Sequence, residues 1–191
     1  MKHILLVVCC LFLVAAATAG TYSLGVGAYG GYDMPVIQDD VGAGPMWSVG
    51  VRGNLWHFIH GQLFVRGTSQ GDVDEELEFG NQTETLTYKG GTLTGFGLNA
   101  LFARKDAANI WPYGLIGIST NSLSFGDSFK EDDSLIGWAF GGGMGINLYE
   151  RKVFLDINTT FLLMPFHDNK ASRKNWQSLI GIQYFIPITN R

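Results

Sequence analysis

From Leu135 to Pro165 the chain reads LIGWAFGGGMGINLYERKVFLDINTTFLLMP, and few folds accept it. On the first arm Ile136, Trp138, Phe140, Met144, Ile146 and Leu148 fall on one face; Gly137, Ala139, Gly141, Gly143, Gly145 and Asn147 fall on the other. That is a period of two, so the arm is a strand. After a tight polar turn at Glu150-Arg151-Lys152 the pattern resumes, with Val153, Leu155, Ile157, Phe161 and Leu163 set against Asp156, Asn158 and Thr160. The pair is a hairpin with one apolar face and one small or polar face.

Alternation does not say which face meets water, but residue type does. A solvated face would carry Lys, Glu and Thr, whereas this one is mostly glycine, which adds nothing to solubility and weakens a strand. Glycine suits a crowded interior, where a sheet of about eight strands closes on itself around a narrow lumen. The large apolar side chains are therefore expected to face outward, into lipid.

The N-terminus agrees. Lys2 and His3 precede an apolar run from Ile4 to Val14, and Ala17-Thr18-Ala19 forms a small-x-small site. This predicts a secretory signal peptide over residues 1–19, cleaved before Gly20, with residues 20–191 as one barrel domain. The alternative, an N-terminal membrane anchor, is disfavoured because the run is short of the ~20 apolar residues a spanning helix needs. Cys9 and Cys10 are the only cysteines and both lie in this leader, so neither a disulfide framework nor thiol chemistry is expected. Every later apolar run is interrupted within a few residues, which leaves a closed β-barrel as the way to satisfy all backbone groups in hydrocarbon.

Eight alternating segments follow: Tyr22 to Tyr32, Met46 to Leu55, a third from Gly61, then Thr92 to Ala103, Ile110 to Phe125, the two arms of the hairpin, and Trp176 to Ile188. The fifth is apolar on both faces at first, so alternation leaves its register open. GVGAYG in the first matches the spacing of a dinucleotide-binding fingerprint, but no buried strand precedes it and no helix follows, so the match is rejected. Connections alternate in length. Asp33 to Gly44, Gln70 to Gly91, Gly126 to Asp133 and Phe166 to Asn175 are long or acidic; Trp56 to His60, Arg104 to Asn109 and Glu150 to Lys152 are short. Long loops on one rim and short turns on the other is the layout of outer-membrane barrels. Aromatics gather near both rims: Tyr22, Trp56, Phe58, Phe102, Trp111, Tyr149 and Phe154 by the short turns, Tyr32, Trp47, Trp138, Phe166 and Trp176 by the long loops. Two interfacial girdles account for both sets.

The leader, the glycine-rich LGVGAYGGYD, the eight alternating segments and the last strand LIGIQYFI together resemble the small, porin-like outer-membrane barrels of the OmpA and OmpW type. The resemblance implies an all-β, eight-stranded antiparallel up-and-down transmembrane barrel in the outer membrane of a Gram-negative bacterium, with both termini periplasmic. The chain departs from that pattern at its end, where Pro187-Ile188-Thr189-Asn190-Arg191 follows Tyr184-Phe185 instead of a terminal aromatic residue.

Arg52, Arg66, Asn99, Asp156, Asn158 and Gln183 fall on the inward face. One buried polar layer is expected, with Asp156 accepting from Arg52 or Arg66, because an unpaired charge there is costly. Its plain role is a structural plug; the sharper one is a gate on a narrow solute path. The long loops hold most of the acid, including Asp72, Asp74, Glu75, Glu76, Glu131, Asp132 and Asp133. Such residues form a solvated face, or bind divalent cations, which also bridge lipopolysaccharide phosphates, or basic partners. The Asp72-to-Glu76 run lacks the glycine and terminal glutamate of an EF-hand loop, so no dedicated metal site is expected.

Catalysis needs a nucleophile and a base together. His57 and His60 read as rim residues, and His167-Asp168 with Ser172 lies in a polar loop, so no enzyme and no cofactor is expected. The chain is net acidic with scattered bases, which argues against nucleic acid. The expected role is non-enzymatic: a monomeric barrel in contact with outer-membrane lipid and lipopolysaccharide, stabilising the envelope or meeting surface ligands through its loops. The alternative is a narrow channel or transporter for a small or hydrophobic solute. A third, a soluble periplasmic ligand-binding barrel, needs the apolar face inside.

Overall fold

A computed structural model of the chain describes residues 22–36, 41–55, 58–79, 82–103, 109–125, 133–165 and 172–188. Eight strands close into one antiparallel barrel: β1 (Tyr22–Pro35), β2 (Gly44–Asn54), β3 (Ile59–Ser69), β6 (Gly91–Ala103), β7 (Ile110–Phe125), β8 (Asp133–Tyr149), β9 (Val153–Met164) and β10 (Arg173–Ile188). Each barrel strand pairs with the next barrel strand in the chain, and β1 pairs with β10 along its whole length, so the sheet has no free edge. The expected up-and-down barrel is the observed one.

Pairing can be followed from Gly30 in both directions. Through Trp47, Gly67, Thr94 and Ser122 it reaches Ser134 on β8; through Ile180 and Ile157 it reaches Met144. The two arrivals are ten residues apart on β8. That stagger is what closure requires, and it tilts the strands by roughly 35–45°.

The barrel is apolar outside and mixed inside. Trp47, Trp138 and Ile180 are 52%, 47% and 51% exposed, while Arg52 and Asp156 on the opposite face are 1% and 0% exposed. The ambiguous strand resolves as well: Trp111, Tyr113, Leu115, Ser119, Asn121 and Leu123 turn inward, and Ile110, Ile116 and Ile118 turn outward. With the tilt taken into account, Tyr32, Trp47, Trp138 and Trp176 stand exposed at one level near the long-loop rim. The other girdle is corrected in part. Phe58, Phe102 and Tyr149 are exposed at the short-turn rim, but Trp111 and Phe154 face the lumen and pack against each other at 6.2 Å between ring centroids. Their parity shares the inward phase of Tyr113 and Asp156, which outweighs aromatic preference for the interface. Trp56, Phe166 and the side chain of Tyr22 lie outside the described residues.

Crowding explains the glycines on the inner face. A Cβ on Gly97 would meet Phe64 Cζ at 2.8 Å, and one on Gly181 would press into the Tyr29 ring. Both aromatic rings lie buried in the lumen only because the neighbouring strand offers no side chain there.

Two further strands stand outside the barrel. The connection read as an acidic loop, Gln70 to Gly91, contains a hairpin of β4 (Val73–Phe79) and β5 (Gln82–Tyr88) that forms its own two-stranded sheet. Asp74, Glu76 and Glu78 alternate with Val73, Glu75, Leu77 and Phe79 on one strand, and Thr83, Thr85 and Thr87 alternate on the other, a period of two that the density of charge obscured.

The β8–β9 turn gives a direct test of backbone strain. Glu150 and Arg151 both have positive φ, 43° and 57°, and Lys152 N–H donates to Tyr149 O at 2.8 Å. A turn of this hand favours Asn-Gly. Replacing Glu150-Arg151 with Asn-Gly is expected to stabilise the barrel by about 0.5–1 kcal/mol, read as a higher urea midpoint of unfolding in micelles.

Candidate functional site: the filled lumen

The lumen is occupied from end to end in layers. At the short-turn end Trp111, Phe154 and Phe185 pack edge to face, joined by Leu101, Ala103 and Leu115. His60, read as a rim residue, is buried beside them with its ring 4.8 Å from Trp111. It sits on β3 in phase with Gln62 and Phe64, so strand parity carries it inward.

Above this aromatic layer lies an ion pair. Arg52 Nη2 stands 2.8 Å from Asp156 Oδ2, and the Tyr113 hydroxyl donates to Asp156 Oδ1 at 2.5 Å. The guanidinium also lies 5.4 Å from the Trp111 ring centroid and 5.0 Å from that of Tyr113. A buried cation is thus compensated by a carboxylate and by two π faces. Gln183, 1% exposed, lies buried near this level, and Asn99 Nδ2 donates to Gln62 Oε1 at 3.3 Å.

Arg66 does not join that pair. Its Nη1 donates to Gln177 Oε1 at 2.5 Å, and its Nη2 donates to Ser119 Oγ at 3.1 Å and Asn121 Oδ1 at 3.0 Å. Its guanidinium lies 5.1 Å from the Phe64 ring centroid. Close by, Asn175 Nδ2 donates to the buried Asp33 at 2.7 Å. One polar layer was expected, and two are present. Arg52 and Arg66 point inward from antiparallel strands at positions well separated along the barrel axis, so one carboxylate cannot serve both. At the long-loop end Leu93, Leu123, Leu135, Leu162 and Met164 form a buried aliphatic cluster.

Of the inward residues singled out from sequence, the structure brings Arg52 to Asp156, places Asn99 against Gln62, and sets Asn158 with Asn99, Arg66 and Gln177 around a small cavity. Reasoning from sequence missed Tyr113, Asp33, Ser119, Asn121 and Asn175. Asp33 shares the inward phase of Gly25, Gly27 and Tyr29 but was assigned to a loop, and Tyr113, Ser119 and Asn121 lie on the strand whose register was open.

The acidic residues are arranged differently. Asp72 accepts from Gly90 N–H at 2.8 Å and Asp74 accepts from Thr87 Oγ1 at 2.6 Å, so both brace the hairpin. Asp74 and Glu76 lie on one face of the ribbon and Glu75 on the other, beside Tyr88, whose phenol is pushed above its ordinary pKa by the Glu75 carboxylate. Among the described residues no three His, Cys, Asp or Glu converge as a metal site. Glu131, Asp132, His57, His167 and Asp168 lie outside the described residues, as does the side chain of Asp133.

No family model matches the chain, and no curated protein matches it. Solved structures do. Neisserial surface protein A superposes with a TM-score of 0.59 at 13% identity, over 87% of this chain and 97% of that one. The attachment invasion locus protein Ail of Yersinia pestis gives 0.51 at 14% identity, over 88% and 100%. The N-terminal β-barrel domain of Pseudomonas aeruginosa OprF gives 0.52 at 12% identity, over 86% and 97%. The chain has the fold of the small eight-stranded outer-membrane β-barrels.

Removing half of the buried ion pair tests its weight. Asp156→Ala is expected to cost about 3–5 kcal/mol, because it strands the Arg52 guanidinium in the lumen. Arg52→Met combined with Asp156→Leu is expected to cost far less, and the two urea midpoints compared with wild type measure the difference.

Proposed function

We propose that the chain is a non-enzymatic protein of the Gram-negative outer membrane, which stabilises the envelope and presents its long loops for surface interaction. The observation that carries this reading is the filled lumen. An aromatic cluster at one end, an aliphatic cluster at the other and two charged layers between them leave the outer wall and the loops as the parts that meet other molecules. The apolar outer belt fits hydrocarbon, and its aromatic rims fit the headgroup levels. In this reading the leader over residues 1–19 is removed on export before Gly20, and the mature barrel works as a monomer among outer-membrane lipid and lipopolysaccharide.

The exposed hairpin is the most prominent element available for contact. Asp72, Asp74, Glu75 and Glu76 on and beside β4 and Glu84 on β5 face only Lys89 as a nearby base in sequence, and the residues from Asp74 to Glu76 and Thr83 to Thr87 are exposed. Such a ribbon suits a basic partner surface or loosely held divalent cations, with Glu131, Asp132 and Asp133 of the next long loop adding to the same charge.

Single-channel recording in planar bilayers separates this role from that of a narrow channel. Conductance is expected at background for the wild type and for Asp156→Ala; discrete openings in the wild type would assign the lumen to transport instead. The ribbon has its own test. Retention of the purified barrel on an immobilised polylysine surface is expected to fall several-fold when Asp74, Glu75 and Glu76 are replaced by their amides, and to fall for the wild type as salt is raised.

A further inference from the structure

Among the described residues one charged side chain, Lys174 on β10, falls in the outward phase of the eight barrel strands. It shares that phase with the exposed Trp176 and Ile180, and it stands two positions beyond Trp176 toward the long-loop rim. At roughly 3.3 Å per residue this is ~7 Å past the aromatic level, where lipid headgroups lie.

Below it the apolar wall is notched. Ser178, Thr159, Gly142 and Gly114 pair in turn across β10, β9, β8 and β7, at outward positions whose neighbours along each strand are mostly large and apolar. Ser178, Thr159 and Gly142 line a groove of about 490 Å³ with Ile180, Ile157 and Met144 along one side. Trp176, Phe161 and Phe140 stand two positions nearer the long-loop rim on the same three strands, and the rings of Phe161 and Trp176 meet edge to face at 6.3 Å between centroids. Thr159 Oγ1 donates to Gln177 O at 3.3 Å and lies 3.4 Å from Ser178 Oγ, so the hydroxyls are met within the wall and the floor suits hydrocarbon. Pairing in this direction leads away from the long-loop rim, as the path from Gly30 to Met144 does, so the row slants from near Trp176 toward the middle of the membrane. Four strands about 4.8 Å apart make it ~14 Å long, close to half of a ~30 Å hydrocarbon core.

We propose that Lys174 and this groove together hold one anionic, phosphate-bearing acyl lipid of the leaflet at the long-loop rim, with its phosphate at the ammonium group and one chain laid along Ser178, Thr159 and Gly142. Such a site requires the apolar face to lie in lipid, as proposed for the whole wall. A lysine ammonium meets phosphate as a point charge, and the groove takes a single flexible chain between two ridges of side chains. Two other occupants fit less well. The described outer wall of a second barrel carries no acid to meet Lys174, so a protein contact would bury that charge against apolar and hydroxyl side chains. Free phosphate would meet the charge and leave the groove uncovered.

Native mass spectrometry of the barrel released from maltoside micelles, after incubation with dimyristoylphosphatidylglycerol, reads retained lipid directly; a heat-dependent gel shift beforehand confirms that each protein has closed. The wild type is expected to retain one phosphatidylglycerol under conditions that strip dimyristoylphosphatidylcholine. Lys174→Gln is expected to lower that retention several-fold, and so is Thr159→Leu combined with Ser178→Leu, which fills the floor, whereas Ser122→Leu on the outer wall of β7 leaves it unchanged. Equal retention in wild type and either groove or lysine variant, equal retention of the two lipids, or an equal loss in Ser122→Leu would overturn the site while leaving the barrel in lipid. A wild-type dimer that the double variant loses would give the groove to a second copy and overturn it as well. A closed barrel soluble without detergent would instead contradict the outward apolar face, and the site with it.

Discussion

Backbone hydrogen bonding in a medium without water is the constraint on which the rest of the structure depends. Each N–H and C=O in hydrocarbon must find a partner within the protein, and a sheet does this only by closing. The pairing of β1 with β10 along fourteen residue pairs completes that closure. Once the sheet is closed at eight strands, the lumen is too narrow to remain empty and too narrow to take a large side chain at every position. Glycines such as Gly97 and Gly181 answer the second difficulty, and Phe64 and Tyr29 leaning over them answer the first.

The same closure forces polar groups to organise along the barrel axis. Residues facing inward from different strands meet only when strand tilt brings them to one level, so each buried charge must be satisfied by what lies at its own height. Arg52 finds Asp156, Tyr113 and the face of Trp111; Arg66, higher up, finds Gln177, Ser119 and Asn121. Apolar clusters lie toward both ends. Among the described residues the result is a packed interior that includes a small polar cavity, turned inside out relative to a water-soluble protein.

Much of this was legible in the sequence because lipid-facing strands obey a strict rule. Large apolar residues at six of the seven alternate positions from Ile136 to Leu148, Gly142 being the exception, with small residues, mostly glycine, between them, mark the outer face of β8, and short and long connections placed the rims. A contact of Asp156 with Arg52 or Arg66 followed from parity and from the cost of burying charge, and the structure makes it Arg52. What was not legible had separate causes. Counting from the short-turn rim sets Arg66 only slightly above Arg52, because it leaves out strand tilt, and so merges two layers into one. Phe154 was assigned to a girdle by residue type although it shares the phase of Asp156, and Trp111 because the register of its strand was open. The hairpin at Val73 to Tyr88 was hidden for a different reason, since its strands face water and carry acids and threonines where the barrel strands carry apolar side chains.

The central claim is that the apolar face is outside. Single-tryptophan variants retaining only Trp138 or only Trp111, refolded into vesicles of brominated phospholipid, test it most directly, because bromine quenches tryptophan fluorescence on contact. Trp138, 47% exposed on the outer wall, is predicted to be strongly quenched, and Trp111, 9% exposed within the lumen, to keep most of its emission. Quenching of Trp111 with Trp138 unaffected would contradict the account and place the large apolar side chains of β8 inside the barrel.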